Sequence, residues 1–442
     1  MKALVWSCYL VFLSTLGFLT LYALRHYLLA IRRLLLKQPR DTMELVGYFQ
    51  PKVSVLIPMH NEEHVAADIL RALLESDYDI NQIEILAIND RSEDATGRIL
   101  DEFAARFPVI RALHRTSGNG GKPAALEFGT RQATGEILVL FDADYLPSRS
   151  LLKMLVAPFA DPETGAVMGR VVPQNAGDTL LSALLYLERA AGYQIVQQAR
   201  YHLGSTPQFG GTVAAVRASA LRSVGGWNVR SLTEDTDLTC RLAHRGWRVV
   251  YVNRAECHEE VPRTWPVRQR QLARWVKGHN ECLHRYAFAL LRHSGSPNIF
   301  IRIDNFLMLS TYWTAPALVL GWLASLVLFV LNANPYPSLA MSVLVVLCLT
   351  VSNQATFFEL GTAALLDGSW QHLLILPFSL VNFFASTLEV CRALLAYYVS
   401  KLAGYDAPWQ KTARSRRRGT IIPPAGHIPF LLQREQLSRP EP

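Results

Sequence analysis

Two aspartates, Asp142 and Asp144, lie two residues apart directly after an apolar run and could hold a metal ion. Carboxylate oxygens at that spacing can share one Mg²⁺ or Mn²⁺, and such an ion can bridge a diphosphate. A strand end followed by a turn would also explain the pair. Asn61, Glu62 and Asp90 follow two other apolar runs, and this recurrence of polar groups favours a metal and nucleotide site.

A second acidic group, Glu234 and Asp235 with Asp237 close behind, stands out in a chain whose formal net charge is +8. Crowded carboxylates can raise the pKa of one member and make it a general base. The first turn of a helix over about 235–244 would also favour acidic residues, because the helix dipole stabilises negative charge there. The local sequence leaves both interpretations open.

The glycine-rich residues 117–122 end in Lys122 and resemble a phosphate-binding loop at first sight. Pro123 stands where such a loop needs the Ser or Thr that holds magnesium, and the first glycine is missing, which argues against a P-loop NTPase. A glycine-rich turn before a helix can still steer an anionic ligand towards Lys122, or it simply connects two elements. Both interpretations remain open.

Gln271, Arg274 and Trp275 share one face of a helix predicted over about 266–291, because their spacing is i, i+3 and i+4. Arginine can bind a diphosphate through paired hydrogen bonds, and an indole can stack on a sugar ring. An amphipathic helix on a membrane surface would explain the arginines but not Gln271. Packing or surface positions, rather than metal binding, are expected for three nearby residues, His279, Cys282 and His284.

The scaffold for these residues is indicated by alternating strand and helix patterns over residues 53–141. Strands are predicted at 53–58, 83–89, 109–114 and 136–141, and helices at 62–76, 92–107 and 122–133. Ser92 is the predicted N-cap of the second helix. This order predicts a parallel sheet covered by helices on both faces, with ligands at the carboxyl ends of its strands.

The composition points to a membrane protein: 50% of the 442 residues are hydrophobic and only 18% are charged, against about 25% in ordinary soluble domains. An uncharged apolar run at 3–24 is followed by basic residues from Arg25 to Arg40, which predicts a retained anchor with its C-terminal side in the cytoplasm. The basic residues cluster at such membrane flanks, so nucleic-acid binding is not expected.

Four regions are predicted: an anchor with its basic flank at 1–40, a cytoplasmic domain with interfacial helices at 41–300, transmembrane helices at 301–400, and a basic tail at 401–442. The third region contains three apolar segments, 306–331, 338–358 and 373–400. Glu389 and Arg392 in the last segment could pair in the bundle interior, since an unpaired charge there is costly. Three crossings would leave the basic tail outside, against the positive-inside rule, so one segment could instead be interfacial or re-entrant.

The order of the motifs resembles that of the membrane-embedded processive family 2 glycosyltransferases, which include cellulose, chitin, hyaluronan and bacterial poly-N-acetylglucosamine synthases. The resemblance runs from about 53 to 278, in the order Asn61/Glu62, Asp90, Asp142-x-Asp144, Thr233-Glu234-Asp235 and Gln271-x-x-Arg274-Trp275. Residues 209–212 look like the acceptor-side loop of the family, and residues 409–412 are similar to a tail element of its bacterial members. Leu272 departs from relatives that have Arg there, so no single branch is assigned.

The resemblance implies an inverting transferase with a GT-A fold, which is a Rossmann-like, mostly parallel α/β domain. Asp235, with Glu234 beside it, would be the base that deprotonates the acceptor hydroxyl. The metal would lie on Asp142 and Asp144. The nucleotide sugar would be bound by Asn61, Glu62, Asp90, Lys122, Asp142, Gln271 and Arg274. The acceptor would lie against Phe209, Gly210, Gly211 and Trp275.

The expected function is polymerisation of a UDP-activated sugar, N-acetylglucosamine or glucose, into an extracellular or capsular β-linked polysaccharide. The alternative is transfer of one sugar to a lipid acceptor. The resemblance implies Mg²⁺ or Mn²⁺ as cofactor, and it implies a UDP-sugar donor, a growing glycan or lipid acceptor, membrane lipids and accessory subunits as partners. The expected location is the inner (plasma) membrane, with several crossings and a cytoplasmic catalytic domain.

Overall fold

The computed structural model describes residues 1–36, 43–118, 121–293, 298–333 and 339–404. Its strands are β1 (Val53–Met59), β2 (Ile83–Asp90), β3 (Ile110–Arg115), β4 (Ile137–Leu140), β5 (Leu146–Pro147), β6 (Thr164–Pro173), β7 (Ala214–Arg217) and β8 (Arg248–Glu259). They form one eight-stranded sheet in the order β3-β2-β1-β4-β7-β6-β8-β5. The four strands predicted from the sequence all form, with ends shifted by at most one residue.

The sheet is mostly parallel. Strands β3, β2, β1 and β4 are parallel neighbours, as are β6 and β8, whereas β7 runs antiparallel between β4 and β6. Side chains of β1 and β2 are buried almost throughout, which is why both strands read as continuous apolar runs. The carboxyl ends of the parallel strands therefore meet at one edge of the sheet.

Helices cover both faces of the sheet, as the alternating pattern predicts. The α-helices that precede β8 in the chain are α1 (Lys2–Leu35), α2 (Ala66–Leu74), α3 (Thr96–Arg106), α4 (Lys122–Thr130), α5 (Leu151–Val156), α6 (Leu180–Ala190), α7 (Gln198–His202), α8 (Ala218–Ser223) and α9 (Glu234–His244). One apolar core lies between the sheet and α2, α3 and α5, and another lies between the sheet and α4, α8 and α9.

The C-terminal part is helical, and its elements are α10 (Trp265–His293), α11 (Ile299–Leu309), α12 (Thr314–Val330), α13 (Leu339–Leu366) and α14 (Ser379–Leu402). Four helical stretches of the described residues are long and apolar enough to cross a membrane: Lys2–Leu35, Thr311–Val330, Leu339–Leu366 and Trp370–Leu402. The helix α10, predicted over 266–291, forms as expected and packs against both α9 and α14.

The predicted N-cap at Ser92 is wrong. Helix α3 begins at Thr96, because the side chain of Asp94 accepts a hydrogen bond from the Thr96 amide (2.9 Å) and holds the preceding residues in a turn. The Ser92 hydroxyl instead accepts a hydrogen bond from the amide of Asn61 (3.0 Å). Helix α2 similarly begins at Ala66 rather than at residue 62.

Two predictions about the apolar segments also need correction. The segment 306–331 does not form one continuous α-helix, because α11 ends at Leu309 and a 3₁₀ turn at Thr311–Trp313 precedes α12. Glu389 and Arg392 do pair at 2.6 Å, but the Arg392 side chain is 69% exposed, so the pair is not in the bundle interior. Residues 409–412 and most of the basic tail lie outside the described residues.

Candidate active site

The acidic pair lies beside the predicted acceptor-side loop, because β7 is the neighbour of β4. Asp142 and Asp144 follow β4, and residues 209–213 lead into β7. The amide of Asp142 donates a hydrogen bond to Oγ1 of Thr212 (3.1 Å). The antiparallel insertion of β7 thus brings together two motifs that lie about 70 residues apart.

Lys122 connects three of the predicted motifs. Its Nζ lies 2.7 Å from Oδ1 of Asp142 and 3.6 Å from Oε1 of Glu234, and it donates a hydrogen bond to the carbonyl oxygen of Gly211 (2.9 Å). Burial lowers the pKa of Lys122, but the carboxylates of Asp142 and Glu234 outweigh this and hold that pKa above its usual value. The ammonium group is therefore charged, and it lies between Asp142 and Glu234.

The acidic cluster of the sequence forms the first turn of α9 and faces the same edge. Burial raises the pKa of Glu234 to about 6, while the nearby Lys122 opposes the shift and the neighbouring Asp235 adds to it. Gly211 has φ +68°, and a Cβ there would lie 3.1 Å from Cβ of Asp235. The glycine therefore allows its loop to approach the predicted base closely.

A polar network behind Asp235 contains residues that the sequence did not assign to the site. The hydroxyl of Thr239 donates to the Asp235 carbonyl oxygen (2.8 Å) and accepts from the amide of Phe209 (2.9 Å). Gln208 donates to Oγ1 of Thr236 (2.9 Å), and Nε2 of His279 lies 3.4 Å from the same oxygen. No local signal marks Gln208 and His279, since tertiary contacts alone bring them to the predicted base.

The buried imidazole of His279 is electrostatically linked to Asp235. Burial lowers the pKa of His279 to about 4, and the negative charge of Asp235 only partly opposes this. His279 is therefore neutral at physiological pH. Its hydrogen-bond distances to Thr236 and Gln208 place it beside the predicted base, which the sequence did not indicate.

Helix α10 touches the start of α9 through a glycine. A Cβ at Gly278 would lie 2.4 Å from Cγ2 of Thr233 and 2.5 Å from its Oγ1, so only glycine fits without a shift. Thr233 directly precedes Glu234. The relative position of the two motif-bearing helices is therefore set at this contact.

The three residues on the predicted face of α10 have different surroundings. Arg274 is close enough to Glu234 to lower its pKa. Gln271 accepts a hydrogen bond from Arg268 (3.0 Å), and the ring of Trp275 has the guanidinium groups of Arg189 and Arg268 at 5.1 and 5.2 Å from its centroid. Arg274 is thus brought to the acidic cluster, while Trp275 lies at a boundary between arginines and apolar side chains.

Asp90 lies at the predicted edge and organises the glycine-rich turn. Its Oδ1 accepts hydrogen bonds from Arg115 (2.5 Å) and Arg91 (3.1 Å), and its Oδ2 accepts one from the amide of Gly121 (3.2 Å). Asn61, at the end of β1, has φ +54°, and its Oδ1 accepts a hydrogen bond from the amide of residue 93 (2.8 Å). Glu62 beside it is buried.

Phe209 and Gly210 pack the loop against the core of the sheet domain. The Phe209 ring is fully buried in the core between the sheet and α9. A Cβ at Gly210 would lie 2.4 Å from Cε of Met168. The contacts of the loop with the acidic residues are made by its other two members: Thr212 bonds Asp142, and Gly211 lies against Asp235.

Comparison with known proteins identifies the family. The family described as "Glycosyltransferase like family 2" matches residues 51–278, which is just over half of the chain and contains every motif above. The chain belongs to glycosyltransferase family 2. It is an enzyme of the transferase class, as the sequence predicts.

Relatives within the family include proteins of different activities. A probable glycosyltransferase, YdaM, of Bacillus subtilis (strain 168) is 32% identical over 70% of this chain and 71% of its own length. The beta-monoglucosyldiacylglycerol synthase of Synechocystis sp. (strain PCC 6803) is 32% identical over 62% of this chain and 56% of its own. The chain spans about half the length of the monoglucosyldiacylglycerol synthases and glucomannan mannosyltransferases that it matches.

A solved structure supports the fold assignment. The mannosyltransferase PcManGT from Pyrobaculum calidifontis, in complex with GDP-Man and Mn²⁺, aligns with a TM-score of 0.56 and 23% identity, over 82% of this chain and 98% of that chain. At this identity the likeness concerns the fold alone. Together with the family match, it confirms the GT-A fold, with several apolar helices attached to it.

Proposed function

We propose that this enzyme transfers a single sugar, with glucose as the first candidate, from a UDP-activated donor to a lipid of the diacylglycerol type. The observation that carries the proposal is the similarity, at 32–33% identity, to three beta-monoglucosyldiacylglycerol synthases. The sequence-based expectation of a polysaccharide product is thereby replaced by its alternative, a lipid acceptor.

The position of the site supports a lipid acceptor. Helix α10 contacts α9, which carries Asp235, and it contacts α14, one of the long apolar helices. Leu272 and Val276 of α10, each two residues from Arg274, belong to one apolar cluster with Val390 and Leu394 of α14. A lipid headgroup at a membrane surface would therefore meet the site without leaving the bilayer.

Asp235 is the proposed base. Its carboxylate takes the proton of an acceptor hydroxyl as that oxygen forms a bond to the anomeric carbon of the donor sugar, and the bond from that carbon to the diphosphate oxygen breaks. Attack from the face opposite the leaving group inverts the configuration and gives a β-linkage. The hydrogen bonds of Thr239 and the contact at Gly211 hold Asp235 in position for this role.

The leaving diphosphate carries the charge that develops during transfer. Lys122 and Arg274, which flank Glu234, are the proposed cationic groups that stabilise it. Lys122 would exchange its contact with Asp142 for one with the phosphates. Asn61, Glu62, Asp90 and Gln271 are the proposed remaining contacts of the nucleotide.

Asp142 and Asp144 are the proposed ligands of Mg²⁺ or Mn²⁺. Among the described residues, no group of three or more His, Cys, Asp and Glu could hold a metal ion. Two carboxylates suit these hard cations when phosphate oxygens and water complete the shell, so the donor set fits a metal that arrives with the nucleotide. Such an ion would neutralise diphosphate charge.

The acceptor is proposed to lie beside Gly211 and Trp275, with Phe209 and Gly210 holding the loop. The enzyme is proposed to be a multi-pass protein of the cytoplasmic membrane, with its sheet on the cytoplasmic side. Arg25, Arg32 and Arg33 lie at the sheet-proximal end of α1 and support this orientation.

Polymer formation is the second candidate. It is favoured by similarity to the glucomannan 4-beta-mannosyltransferase 7 of Arabidopsis thaliana, which is 29% identical over 57% of this chain. The two candidates share a donor site and a base. They differ in whether the product becomes the next acceptor.

The test uses the full chain in lipid nanodiscs with labelled UDP-glucose, UDP-N-acetylglucosamine or GDP-mannose and with diacylglycerol. We expect lipid-extractable label with one donor, lost with EDTA and restored by Mg²⁺ or Mn²⁺. Asp235→Asn should lower the rate about 10²–10⁴-fold, the usual contribution of a general base, while UDP binding by calorimetry is retained. Glu75→Gln, at a surface pair with Arg149, is the matched control.

Each outcome has a definite meaning. Label in a high-molecular-weight product would replace the lipid acceptor by the polymer. Full activity in EDTA would remove the metal from the proposal. UDP binding without turnover of any donor onto lipid or polymer would contradict the proposed function.

A further inference from the structure

The apolar stretch Trp370–Leu402 is long enough to cross a membrane, but its contacts point to a different path. The side of the membrane on which the sheet and α10 lie is called the catalytic side below. Helix α12 starts on that side: Trp313, just before it, donates a hydrogen bond from Nε1 to Asn280 of α10 (3.1 Å). Farther along, Ala324 of α12 packs against Phe12 near the start of α1. Helix α12 therefore leads away from the catalytic side.

Helix α13 leads back to it. Val345, near its start, belongs to the same distant cluster as Phe12. After its end, Asp367 accepts hydrogen bonds from Arg170 of β6 (2.5 Å) and from Gln194 (2.6 Å). The chain is therefore on the catalytic side again at Asp367, held there by a buried ion pair with the sheet.

The next segment, Trp370–Phe378, is too short to cross. It is a 3₁₀-helix of 9 residues, which spans about 18 Å at roughly 2 Å per residue, against a hydrocarbon core of about 30 Å. His372 stacks on Tyr186 of α6, with ring centroids 4.6 Å apart. A Cβ at Gly361 would lie 3.6 Å from Cδ1 of Leu376, so this segment runs alongside the last turns of α13.

Helix α14 then returns along α12. The ring of Phe384 lies 5.8 Å from that of Trp322, and the ring of Tyr398 lies 6.2 Å from that of Trp313. Later residues of α14 thus meet earlier residues of α12, so the two helices are antiparallel. The hydroxyl of Tyr398 also lies 2.8 Å from Nε2 of His284 on α10. Both ends of the stretch are therefore on the catalytic side.

From these contacts we infer that Trp370–Leu402 is a re-entrant hairpin, which enters and leaves the membrane on the catalytic side. Among the described residues the chain then crosses three times, at α1, α12 and α13, and the end of α14 lies on the side of the active site. This removes the conflict with the positive-inside rule that a fourth crossing creates. The inference requires the proposed membrane location but no particular donor or acceptor.

The position of Arg392 supports the hairpin. Arg392 precedes Tyr398 by six residues, about 9 Å along the helix, and its side chain is 69% exposed. In a hairpin its guanidinium group can extend to the headgroups of the catalytic side. In a crossing helix the same exposed charge would face lipid well inside the bilayer, which is unfavourable.

The partner that fits the exposed surface of the hairpin is lipid acyl chains. Apolar side chains at and near its turn are 45–75% exposed: Leu374, Phe378, Leu380, Val381, Phe383 and Phe384. This surface continues that of α12, where Trp322 and Leu326 are exposed. Because the hairpin inserts only from one side, these side chains would occupy the leaflet that also holds the proposed acceptor lipid.

The test measures which side of the membrane residue 403 faces. Ala403→Cys is treated with a membrane-impermeant maleimide in right-side-out and in inside-out vesicles of the full chain, with the parent chain as the blank. Glu75→Cys on the sheet domain and Asn332→Cys after α12 are the matched controls for the two sides, and all three positions are exposed. We expect Ala403→Cys and Glu75→Cys to react at least tenfold more in inside-out vesicles, and Asn332→Cys to show the reverse.

The hairpin would be overturned if Ala403→Cys reacted in the same vesicle preparation as Asn332→Cys. It would also be overturned if Ala403→Cys reacted equally in both preparations while the two controls each reacted in only one. If all three positions react equally in both preparations, the membrane location itself is wrong, which is a separate failure. C-terminal fusions to green fluorescent protein and alkaline phosphatase check the result independently. The hairpin requires a fluorescent first fusion and an inactive second one.

Discussion

Replacing Gly278 by alanine tests whether the contact between α10 and α9 sets the geometry of the active site. The added Cβ would lie 2.4 Å from Cγ2 of Thr233, whereas ordinary van der Waals contact begins at 3.4 Å. The two helices must therefore move apart by about 1 Å. This movement separates Arg274 from Glu234 and Asp235, because Thr233 directly precedes these two residues.

The substitution should affect turnover far more than stability. Overpacking costs about 1–3 kcal/mol, and the better helix propensity of alanine returns about 1 kcal/mol, so the net loss of stability is about 0–2 kcal/mol. A misplacement of about 1 Å in an active site can lower the rate about 100-fold. We expect a loss of that order in kcat/KM.

The assay compares kcat/KM and the thermal midpoint of Gly278→Ala with those of Gly192→Ala. Gly192 is also helical, but a Cβ there would have no atom within 4 Å, so that control should retain full activity. Adding Thr233→Ala to Gly278→Ala removes the two closest atoms and should restore part of the rate. Wild-type turnover in Gly278→Ala would refute the reasoning, and so would an equal loss in the Gly192 control.

Two further predictions concern buried charge. Arg200→Met removes a side chain that is 1% exposed and paired with Asp304, and it should lower the free energy of unfolding in detergent by about 3–5 kcal/mol. Arg71→Met, at the surface pair with Asp68, should change that free energy by less than about 1 kcal/mol. Equal losses in the two variants would contradict the buried pairing. For His279, burial lowers the pKa from 6.5 to about 4, so the unfolded chain binds this proton at a higher pH than the folded protein. Stability should therefore fall by about 3 kcal/mol as the pH drops from 6.5 to 4, and denaturant titrations of His279→Gln should lack this part of the decrease.

The first half of the sheet could be predicted because its strands are buried on both faces. β1 and β2 read as largely apolar runs, and the polar residues Asn61 and Asp90 at their carboxyl ends mark the edge where ligands are expected. The contact of Lys122 with Glu234 could not be predicted. It depends on β7 entering the sheet beside β4, which is a pairing between distant parts of the chain.

Side-chain hydrogen bonds to the backbone account for the local errors. The apolar pattern continues through Ser310, so nothing in it reveals that α11 ends there and that the Ser310 hydroxyl donates to the Phe306 carbonyl oxygen (2.9 Å). Asp94 likewise delays the start of α3. The surroundings of Asp235 were missed for another reason, because Gln208 and His279 meet only in the folded protein.

Helix α1 has consequences for how the protein is made. Its partners come late in the chain: Arg25 pairs with Asp304, which is 279 residues away, and Thr20 bonds Ser352 across 332 residues. At a synthesis rate of about 5–20 residues per second, the first helix waits roughly 15–60 s for them. During that time Asp304 and Ser352 have not yet been made, so the first helix is without these two partners until residue 352 has been synthesised. A ribosome that stalls within the sheet domain would leave that helix without its bundle.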